Sequence, residues 1–582
     1  MNDVVVPSQN PAEEASERAL ADVRECIEHG QSFKLEAGAG AGKTYSLVKA
    51  LQYLIEREGK RLPKRNQRIA CITFTNVAKD EIESRTDRSP VIHCDTIHAF
   101  CWSFISGFQS QLRASLPEID KWGERIEEVG GAGSRRVEYT LGHRGITDSA
   151  ISIHHDDVLV LTIKLMSFEK FRRILVHQYP IVLIDEYQDT DAEWMETIKT
   201  HFLGQADAPL LGLFGDHWQK IYGNGCGEVT HSTLREIGKE ANFRSVPAIV
   251  DCLNRMRPSL PQFVVDPEAE GEVHVFHTNA WEGERQKGAH YGGDLPPEVA
   301  SAALLSVKEQ LTRAGCDLDA SKTKILMLTH RGLATQQGYD NLLKVFRYND
   351  SLTKKENDHI AFFANHLEPA CEAFHHKRYG EMFTALGANK KYVFKLADKA
   401  SWAQSMEKLL ELRESGTVRD VIVHLRETRL PQLPDAVERL EQKLEEFDHD
   451  GEEETPRSLK ELAALQQVPY QEIVLASRYL EGHTPFETKH GVKGAEFENV
   501  LVVMGRGWNR YNFDQMLSNA RDETKMAEKD RKRFEDNRNL FYVVCSRPQK
   551  RLAALFTQQL SDDALQTVQN WFGTENIQSL AL

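Results

Sequence analysis

The chain has 582 residues, a formal net charge of −15, 41% hydrophobic residues and 27% charged residues. That length allows about three or four domains, and the composition is that of a globular protein with ample core. No apolar run approaches the ~20 residues of a membrane span, and the acidic N-terminus lacks the layout of a signal peptide. The nine cysteines form no CxxC pair, so we expect a reduced, cytoplasmic protein without a zinc or iron–sulfur site.

The negative net charge does not decide whether the protein binds nucleic acid. A net charge of −15 argues against indiscriminate coating of nucleic acid, because that binding depends on many cationic contacts with phosphates. It does not exclude binding in a locally basic channel.

The first predicted elements enclose a glycine-rich loop. A strand at 32–36 precedes AGAGAGKT (37–44), and a helix pattern at 45–56 follows it. In this context glycines let backbone N–H groups close on phosphates at a helix N-terminus. Lys43 would reach the β- and γ-phosphates, and the Thr44 hydroxyl would bind Mg²⁺. The other residues assigned to the nucleotide are Gly38, Gly40, Ala41, Gly42 and Tyr45.

A second motif, IVLIDEYQD (181–189), supplies the acidic groups that such a loop needs. Its apolar strand ends in Asp185 and Glu186, which suits a Mg²⁺-holding aspartate beside a glutamate that activates water. The alternative is a glycine-rich turn and an unrelated acidic strand end, which one chain rarely combines. The two motifs together predict hydrolysis of a nucleoside triphosphate.

The remaining patterns divide the chain into two α/β parts. Strands at 69–74, 181–184 and 210–214 alternate with helices such as 78–85, which predicts a parallel sheet covered by helices. A second set of strands is predicted at 273–277, 324–329, 500–503 and 552–556. Strand signals fade between 101 and 155, where 130–136 and 142–145 are predicted loops, and helices such as 402–413 and 436–447 dominate 341–483.

Eight stretches in order resemble the UvrD/Rep/PcrA group of superfamily 1 DNA helicases. They are AGAGAGKT (37–44), ITFTNVAKDEIESR (72–85), DTIHAF (95–100), VLIDEYQDT (182–190), LFGDHWQKIYG (213–223), NFRS (242–245), TKHGVKGAEFENV (488–500) and RNLFYVVCSRPQKRL (538–552). A phosphate loop alone occurs in many ATPases, whereas this ordered set is highly specific. The resemblance implies an α/β fold of two RecA-like parallel-sheet P-loop domains, each with a mainly helical insertion.

The predicted domain boundaries follow from these patterns. They are 1–100 and 156–240 for the first RecA-like domain, 101–155 for its insertion, 241–340 and 484–582 for the second domain, and 341–483 for its insertion.

The resemblance also implies ATP and Mg²⁺ as cofactors and assigns roles at the nucleotide. Asp185 would complete the metal shell, and Glu186 would be the general base. Gln219 would sense the γ-phosphate and link it to the DNA side. Arg244 and Arg547 resemble arginine fingers of the second domain, so hydrolysis would require the two domains to close.

The base and the ribose have their own candidates. Phe243 occupies the place where the family stacks an aromatic ring on the base, and Glu496 would hold the ribose. The glutamine that normally selects adenine is not clear, because Gln9 lies unusually far before the loop. Adenine preference therefore rests on the family.

A further group of residues corresponds to the family's single-stranded DNA channel. It comprises Phe74, Thr75, Asn76, Thr96, His98, Phe100, Tyr222 and His490. Stacking of aromatic rings on bases tolerates any sequence, although Phe74 and Phe100 have ordinary core packing as an alternative. Where the family carries a tryptophan after the third motif, this chain has Asn224, and Trp218 lies six residues earlier.

We therefore expect a DNA translocase and helicase that moves 3′→5′ on single-stranded DNA. Its compactness resembles the helicase partner in bacterial anti-phage systems of the Gabija type, which work beside a separate nuclease related to the overcoming-lysogenisation enzymes. We expect no nuclease domain after Arg547, which is followed by only 35 residues. The alternatives are a nucleotide-sensing subunit that controls a partner nuclease, and a motor on RNA or RNA–DNA hybrids. A small-molecule kinase is nearly excluded by the later motifs.

Overall fold

The computed structural model describes residues 10–582, apart from 141–143, 222, 328–329, 347–349, 388–394, 448–454, 483, 489–494 and 507–510. Two residues predicted to contact DNA, Tyr222 and His490, lie outside the described residues, as does Gln9. No helix in the described part of the chain has the length and apolar character that crossing a bilayer requires.

The first half of the chain builds a six-stranded parallel sheet. In chain order the strands are β1 (Phe33–Ala37), β2 (Ile69–Thr73), β3 (Ile92–Thr96), β4 (Arg136–Tyr139), β5 (Gly145–Ile146), β6 (Ala150–Ile153), β7 (Ile181–Asp185), β8 (Leu210–Gly215) and β9 (Arg235–Lys239). Six of them pair in parallel in the order β3-β2-β7-β8-β1-β9. Every residue of β2 and β7 is buried, because helices cover both faces of such a sheet. The strands predicted in this half are confirmed.

Helices cover this sheet. They are α1 (Pro11–His29), α2 (Lys43–Glu58), α3 (Asn76–Arg85), α4 (Ile97–Ile105), α5 (Gln109–Ser115), α6 (Gly123–Glu128), α7 (His155–Met166), α8 (Glu169–Gln178) and α9 (Ala192–Phe202). On α2, Leu47, Leu51 and Leu54 are fully buried, and this spacing places them on one helix face. They pack with β1 and β7 in one core, which fixes the start of α2 at the edge of the sheet.

The segment predicted to be the first insertion contains a small sheet in addition to helices. Strands β4, β6 and β5 pair side by side in the segment where the sequence predicted exposed loops at 130–136 and 142–145. That prediction was wrong for Arg136 and Gly145, which begin β4 and β5, and its positions 142–143 lie outside the described residues. The overlooked signal is the alternation of Ile151 and Ile153, both fully buried, with half-buried neighbours.

The second half builds another six-stranded parallel sheet. Its strands, together with a separate two-stranded pair, are β10 (Ala241–Asn242), β11 (Phe263–Val264), β12 (Glu272–His277), β13 (Thr323–Met327), β14 (Phe486–Thr488), β15 (Phe497–Met504), β16 (Pro548–Phe556) and β17 (Ile577–Ser579). The order is β14-β13-β15-β16-β12-β17, and β10 pairs with β11. The strands predicted here are confirmed, except that 328–329 lies outside the described residues.

The helices of this half continue into the long predicted insertion. They are α10 (Pro247–Met256), α11 (Pro297–Arg313), α12 (His330–Gln337), α13 (Asp340–Val345), α14 (Asp350–Thr353), α15 (Asp358–Phe362), α16 (Glu368–His375), α17 (Tyr379–Ala385), α18 (Leu396–Ser415), α19 (Val418–Thr428), α20 (Asp435–Glu446), α21 (Arg457–Gln466), α22 (Tyr470–Leu480), α23 (Phe513–Ala520), α24 (Glu528–Cys545) and α25 (Asp562–Phe572). The predicted helices 402–413 and 436–447 correspond to α18 and α20. Buried residues of α18 and α19 share one core with Ile325 and Leu501 of the sheet, so the insertion packs on the second sheet.

Candidate nucleotide and nucleic-acid site

The glycine-rich loop joins β1 to α2 and passes through two left-handed residues. Gly40 and Gly42 have φ angles of 76° and 71°, a region that other residues rarely enter. A Cβ atom at Gly40 would lie 2.7 Å from Asn242 Oδ1. One at Gly38 would lie 2.7 Å from Gln262 Nε2. The glycines therefore keep the backbone of the loop bare at the start of α2, as a phosphate cradle requires.

Lys43, the first residue of α2, meets the acidic end of β7. Its Nζ lies 2.6 Å from Glu186 Oε1. Burial acts to lower the pKa of Lys43, but the carboxylates of Glu186 and Asp185 outweigh it and raise that pKa. Glu186 has a φ of 48°, a conformation that is costly for a non-glycine residue and is often retained at functional sites. The predicted phosphate ligand and the predicted base thus form one ion pair.

The residues at this edge fit a divalent metal. Asp185 ends β7 and is 3% exposed, and Thr44 is the second residue of α2. A carboxylate and a hydroxyl are hard oxygen ligands, and Mg²⁺ is usually held by one or two such groups together with water and substrate phosphates. A metal bound there would neutralise charge on the phosphate oxygens.

Gln219 connects this site with the second sheet. It follows β8, and its Nε2 donates a hydrogen bond to Asp216 Oδ2 at 2.8 Å. Arg547, between α24 and β16, donates from Nη2 to Gln219 Oε1 at 3.3 Å. Arg547 is 1% exposed, and burial together with the charge of Arg244 lowers its pKa to about 9. At neutral pH a buried cation therefore occupies the predicted finger position.

The second predicted finger contacts the residue predicted to hold the ribose. Arg244 Nε lies 3.0 Å from Glu496 Oε1, and Nη1 donates to the backbone oxygen of Ser546 at 2.9 Å. The backbone N–H of Phe243 donates to Gly40 O at 2.8 Å, while its ring is 44% exposed. The NFRS segment is therefore bonded directly to the phosphate loop and leaves an aromatic ring open to a ligand.

Two buried amide side chains form hydrogen bonds to the backbone of the phosphate loop. The carbonyl oxygen of Ala39 accepts hydrogen bonds from Asn242 Nδ2 and Gln262 Nε2, both at 3.1 Å. Sequence reasoning missed both residues. Asn242 belongs to a recognised motif, which could have identified it, whereas Gln262 follows an irregular segment after α10 and no pattern marks it.

A buried charge network behind the loop was also missed. Glu36 accepts hydrogen bonds from the ring of His217 and from Tyr187 Oη, the latter at 2.7 Å. Arg257 joins it through Nη1, which lies 2.6 Å from Asp216 Oδ1. Burial acts to raise the pKa of Glu36, but the bonds from His217 and Tyr187 outweigh it and lower the pKa to about 2. With Arg257 already neutralising the carboxylates, this group is a structural ion network between the loop and the motif after β8.

A cavity of about 360 Å³ lies next to Asp185 at the end of β7. Phe74, His98, His155 and Asn224 contribute to its lining, together with Asp185. The rings of His98 and His155 stack with centroids 3.4 Å apart. Burial and the neighbouring His155 lower the pKa of His98 to about 4, so its ring is neutral at pH 7. The cavity thus connects predicted DNA residues with the metal edge.

The other predicted DNA residues have different environments. Thr75 caps α3, and the exposed Asn76 begins that helix. Thr96 precedes α4 at the end of β3. Phe100 is 3% exposed and packs against Tyr179 with ring centroids 5.2 Å apart. The packing alternative therefore applies to Phe100, and its placement in the channel was wrong.

Trp218 does not stand open as a substitute stacking platform. The guanidinium carbon of Arg538 lies 4.0 Å from its ring centroid, and that of Arg257 lies 5.3 Å away. Tyr542 packs edge-on at 5.5 Å. Arg538 and Tyr542 belong to α24, so the tryptophan joins the motif after β8 to the second sheet.

A bare phosphate loop, a buried acidic strand end and cations from a second parallel sheet are the features of a P-loop nucleotide-binding protein with two α/β domains. A family model described as an AAA domain matches residues 23–224, and one described as a UvrD-like helicase C-terminal domain matches residues 322–559. The Gabija protein GajB of Bacillus cereus (strain HuB5-5) is 22% identical over 698 aligned positions, covering 96% of this chain and 97% of that relative. By these matches the chain is similar to the UvrD-like helicases over most of its length.

Proposed function

We propose that the chain is an ATP- and Mg²⁺-dependent motor that moves 3′→5′ on single-stranded DNA and unwinds duplexes with a single-stranded tail. The observation that carries the proposal is the hydrogen bond from Arg547 to Gln219, which joins the second sheet to the hydrolytic edge of the first. A nucleotide at the phosphate loop would lie between groups of both domains. Binding and release would then change the distance between the sheets.

The ion pair between Lys43 and Glu186 suggests how hydrolysis is restrained before substrate arrives. In this pair the lysine that would hold phosphate neutralises the carboxylate that would accept the proton of water. Phosphate oxygens would compete for Lys43 and release Glu186. Arg244 and Arg547 would stabilise charge that develops in the transition state, a contribution of ~10³–10⁵ in rate for arginine fingers.

Translocation would use the open side of the first sheet. The exposed Phe74 lines one cavity together with His98 and Asn224, and Phe74 and His98 are among the residues predicted to bind DNA. An aromatic ring stacked on a base contributes roughly 1–3 kcal/mol and accepts any sequence. Residues 1–100 with 156–240, and 241–340 with 484–582, would be the two moving bodies, and 101–155 and 341–483 their insertions.

We also propose that the motor works in anti-phage defence of the Gabija type. The support is the relative over nearly the full length of both chains, which is named a Gabija protein. A separate nuclease related to the overcoming-lysogenisation enzymes would then be its partner. Co-purification of such a nuclease with the tagged chain would support this assignment, and a chain that stays alone when both genes are expressed would contradict it.

The first experiment is ATP hydrolysis by the purified chain with and without single-stranded DNA, using Lys43→Ala as the blank. We expect strong stimulation by DNA, weaker stimulation by RNA of the same sequence, and no turnover by the variant. Strand displacement on substrates with a 3′ or a 5′ tail then tests direction. Equal turnover with and without DNA would contradict the motor assignment.

A second candidate function is supported by Asn224. This residue lines the cavity where the family has a tryptophan, so one stacking platform is missing. The chain would then act as a nucleotide-sensing subunit that controls a partner nuclease and unwinds little DNA. ATP binding without DNA-stimulated turnover, combined with ATP-dependent nuclease activity of the complex, would favour this function.

A further inference from the structure

Lys239 is a buried lysine at the end of β9, the edge strand of the first sheet. It pairs in register with Ala37, the last residue of β1 before the phosphate loop. Its side chain is fully buried, and its Nζ donates to Ser46 Oγ at 2.7 Å and to the carbonyl oxygen of Gly42 at 3.2 Å. The ammonium group thus holds the last glycine of the loop and the first turn of α2.

The same ammonium group lies beside two exposed aromatic rings. Its Nζ is 5.6 Å from the ring centroid of Tyr45 and 5.7 Å from that of Phe243. The rings are 42% and 44% exposed. Both distances are within the range of cation–π attraction, which is worth more when the cation is desolvated. One cation therefore contacts the loop and both rings on either side of Gly42.

The environment of Lys239 is unusual for a buried charge. Within the described ranges no carboxylate oxygen lies within 4.0 Å of its Nζ, and burial lowers its pKa to about 8. A buried ammonium group without an ionic partner is costly. A methionine of similar length would fill the space at lower cost, so packing alone does not account for a lysine here.

Lys34 provides a direct comparison within the same pair of strands. It is 2% exposed, but its Nζ lies 2.9 Å from Glu236 Oε1 and donates to Val229 O at 3.0 Å. Lys34 thus has an ion-pair partner and lies at the opposite end of β1 from the loop. It is a buried lysine of structural type, whereas the bonds of Lys239 to described residues go to Gly42 and Ser46 beside the phosphate loop.

We propose that Lys239 is a positioning residue for nucleotide binding, which fixes the rings of Tyr45 and Phe243 as the two walls of a base-binding slot. It acts on the base end of the nucleotide through the rings, and its bonds to Gly42 and Ser46 hold its ammonium group in place. The inference rests on the proposed function as a nucleotide hydrolase. It adds a residue that the family motifs do not include and assigns it to recognition of the base.

The test compares two ligands that share phosphates but differ in the base. Binding of ATP and of inorganic tripolyphosphate, each with Mg²⁺, is measured by calorimetric titration of the full chain and of Lys239→Met. We expect the variant to bind ATP about tenfold more weakly, a loss in the range of one or two cation–π contacts, and to bind tripolyphosphate with little change. The KM for ATP should rise while kcat changes less than twofold.

Matched variants separate this role from folding. Lys34→Met should lower the unfolding temperature and leave both affinities unchanged, and Lys239→Arg should recover most of the ATP affinity. If Lys239→Met weakens ATP and tripolyphosphate equally, or leaves both unchanged while lowering stability, the base-slot proposal is overturned. A double variant with Phe243→Leu should lose less than the sum of the single effects, and full additivity would also overturn it. Wild-type protein that fails to bind ATP would refute the proposed function itself.

Discussion

The two six-stranded sheets share parallel pairing, yet they supply different parts of the candidate site. The carboxyl end of the first sheet gathers Lys43, Asp185 and Glu186 within one electrostatic cluster. The second sheet supplies Arg547, which is almost completely buried against Gln219 of the first. The candidate phosphate-binding groups are local to one sheet, whereas the position of the candidate arginine fingers depends on how the two sheets pack.

This difference separates two kinds of defect. A change at the first sheet should remove binding or chemistry regardless of domain arrangement. A change at the second sheet should leave nucleotide binding intact and slow the step that needs both sheets together. Variants of the two sheets should therefore differ in the step that they impair.

The largest effect is expected for the finger of the second sheet. Arg547→Ala should lower kcat about 10³-fold, because an arginine finger stabilises transition-state charge, while the affinity for ATP changes little. Single-turnover hydrolysis with DNA present measures this. Arg551→Ala, four residues along on β16 and paired with Glu272, is the control and should hydrolyse normally. Normal single-turnover rates for Arg547→Ala would contradict its role.

The candidate base of the first sheet should give a nearly equal loss. Glu186→Gln removes the proton acceptor but keeps the shape of the side chain, so hydrolysis should fall about 10²–10³-fold while ATP still binds. Titration with ATP and turnover measured on the same sample distinguish a loss of hydrolysis from a loss of binding. Glu196→Gln on α9, an exposed residue paired with Lys199, should behave as wild type. Loss of binding by Glu186→Gln would contradict a role as base.

The buried network behind the loop should affect stability. Glu36→Gln leaves Arg257 and His217 partly unpaired in a buried site, and breaking such a pair costs about 3–5 kcal/mol. The folded pKa of Glu36 is about 2, below its ordinary 4.5. Its contribution is therefore complete above pH 4.5 and is lost as pH falls toward 2. Urea unfolding measures this, and the difference in free energy of unfolding between wild type and variant should be smaller at pH 3 than at pH 7.

The control for that stability measurement is an exposed carboxylate of the same domain. Glu28 accepts a hydrogen bond from Tyr53 at 2.5 Å on the surface, so Glu28→Gln should change stability little at either pH. A constant difference between Glu36→Gln and wild type at both pH values would show that the charge of Glu36 is not the source of its effect.

The smallest effect concerns the contact between the sheets. Trp218→Ala removes the ring held by Arg538 and Tyr542 of α24. Communication between DNA and the hydrolytic edge should weaken, so DNA stimulation should fall about tenfold and the basal rate by less. Trp571→Ala, which removes a ring packed on Phe541 of the same helix but not on Trp218, should retain stimulation. Equal loss of basal and stimulated rates by Trp218→Ala would place Trp218 in the hydrolytic step.

Much of the candidate site could be predicted from local sequence motifs, because each motif combines one strand end with one short loop. Lys43, Asp185 and Glu186 belong to this type, and the structure gathers them at one edge. Glu36, Gln262 and Lys239 could not be found in this way. Their partners lie far along the chain, as with Glu36 and His217 or Lys239 and Ser46, and no local pattern marks such a pairing.

The small sheet of the first insertion was missed for another reason. Its strands are short, and β5 spans only Gly145–Ile146. Patterns of that length cannot be separated from a loop until the pairing with β6 is known.

One consequence follows from where β9 ends. Lys239 closes the edge strand of the first sheet, and Arg244, five residues later, is bonded to Ser546 beside the second sheet. Five residues of extended chain span at most about 17 Å. This short segment limits how far the two sheets can move apart where it joins them. A wider separation elsewhere would therefore require the sheets to rotate about this segment. Arg244 and Arg547 would then both lie near the pivot, because Arg244 is bonded to Ser546, the residue before Arg547.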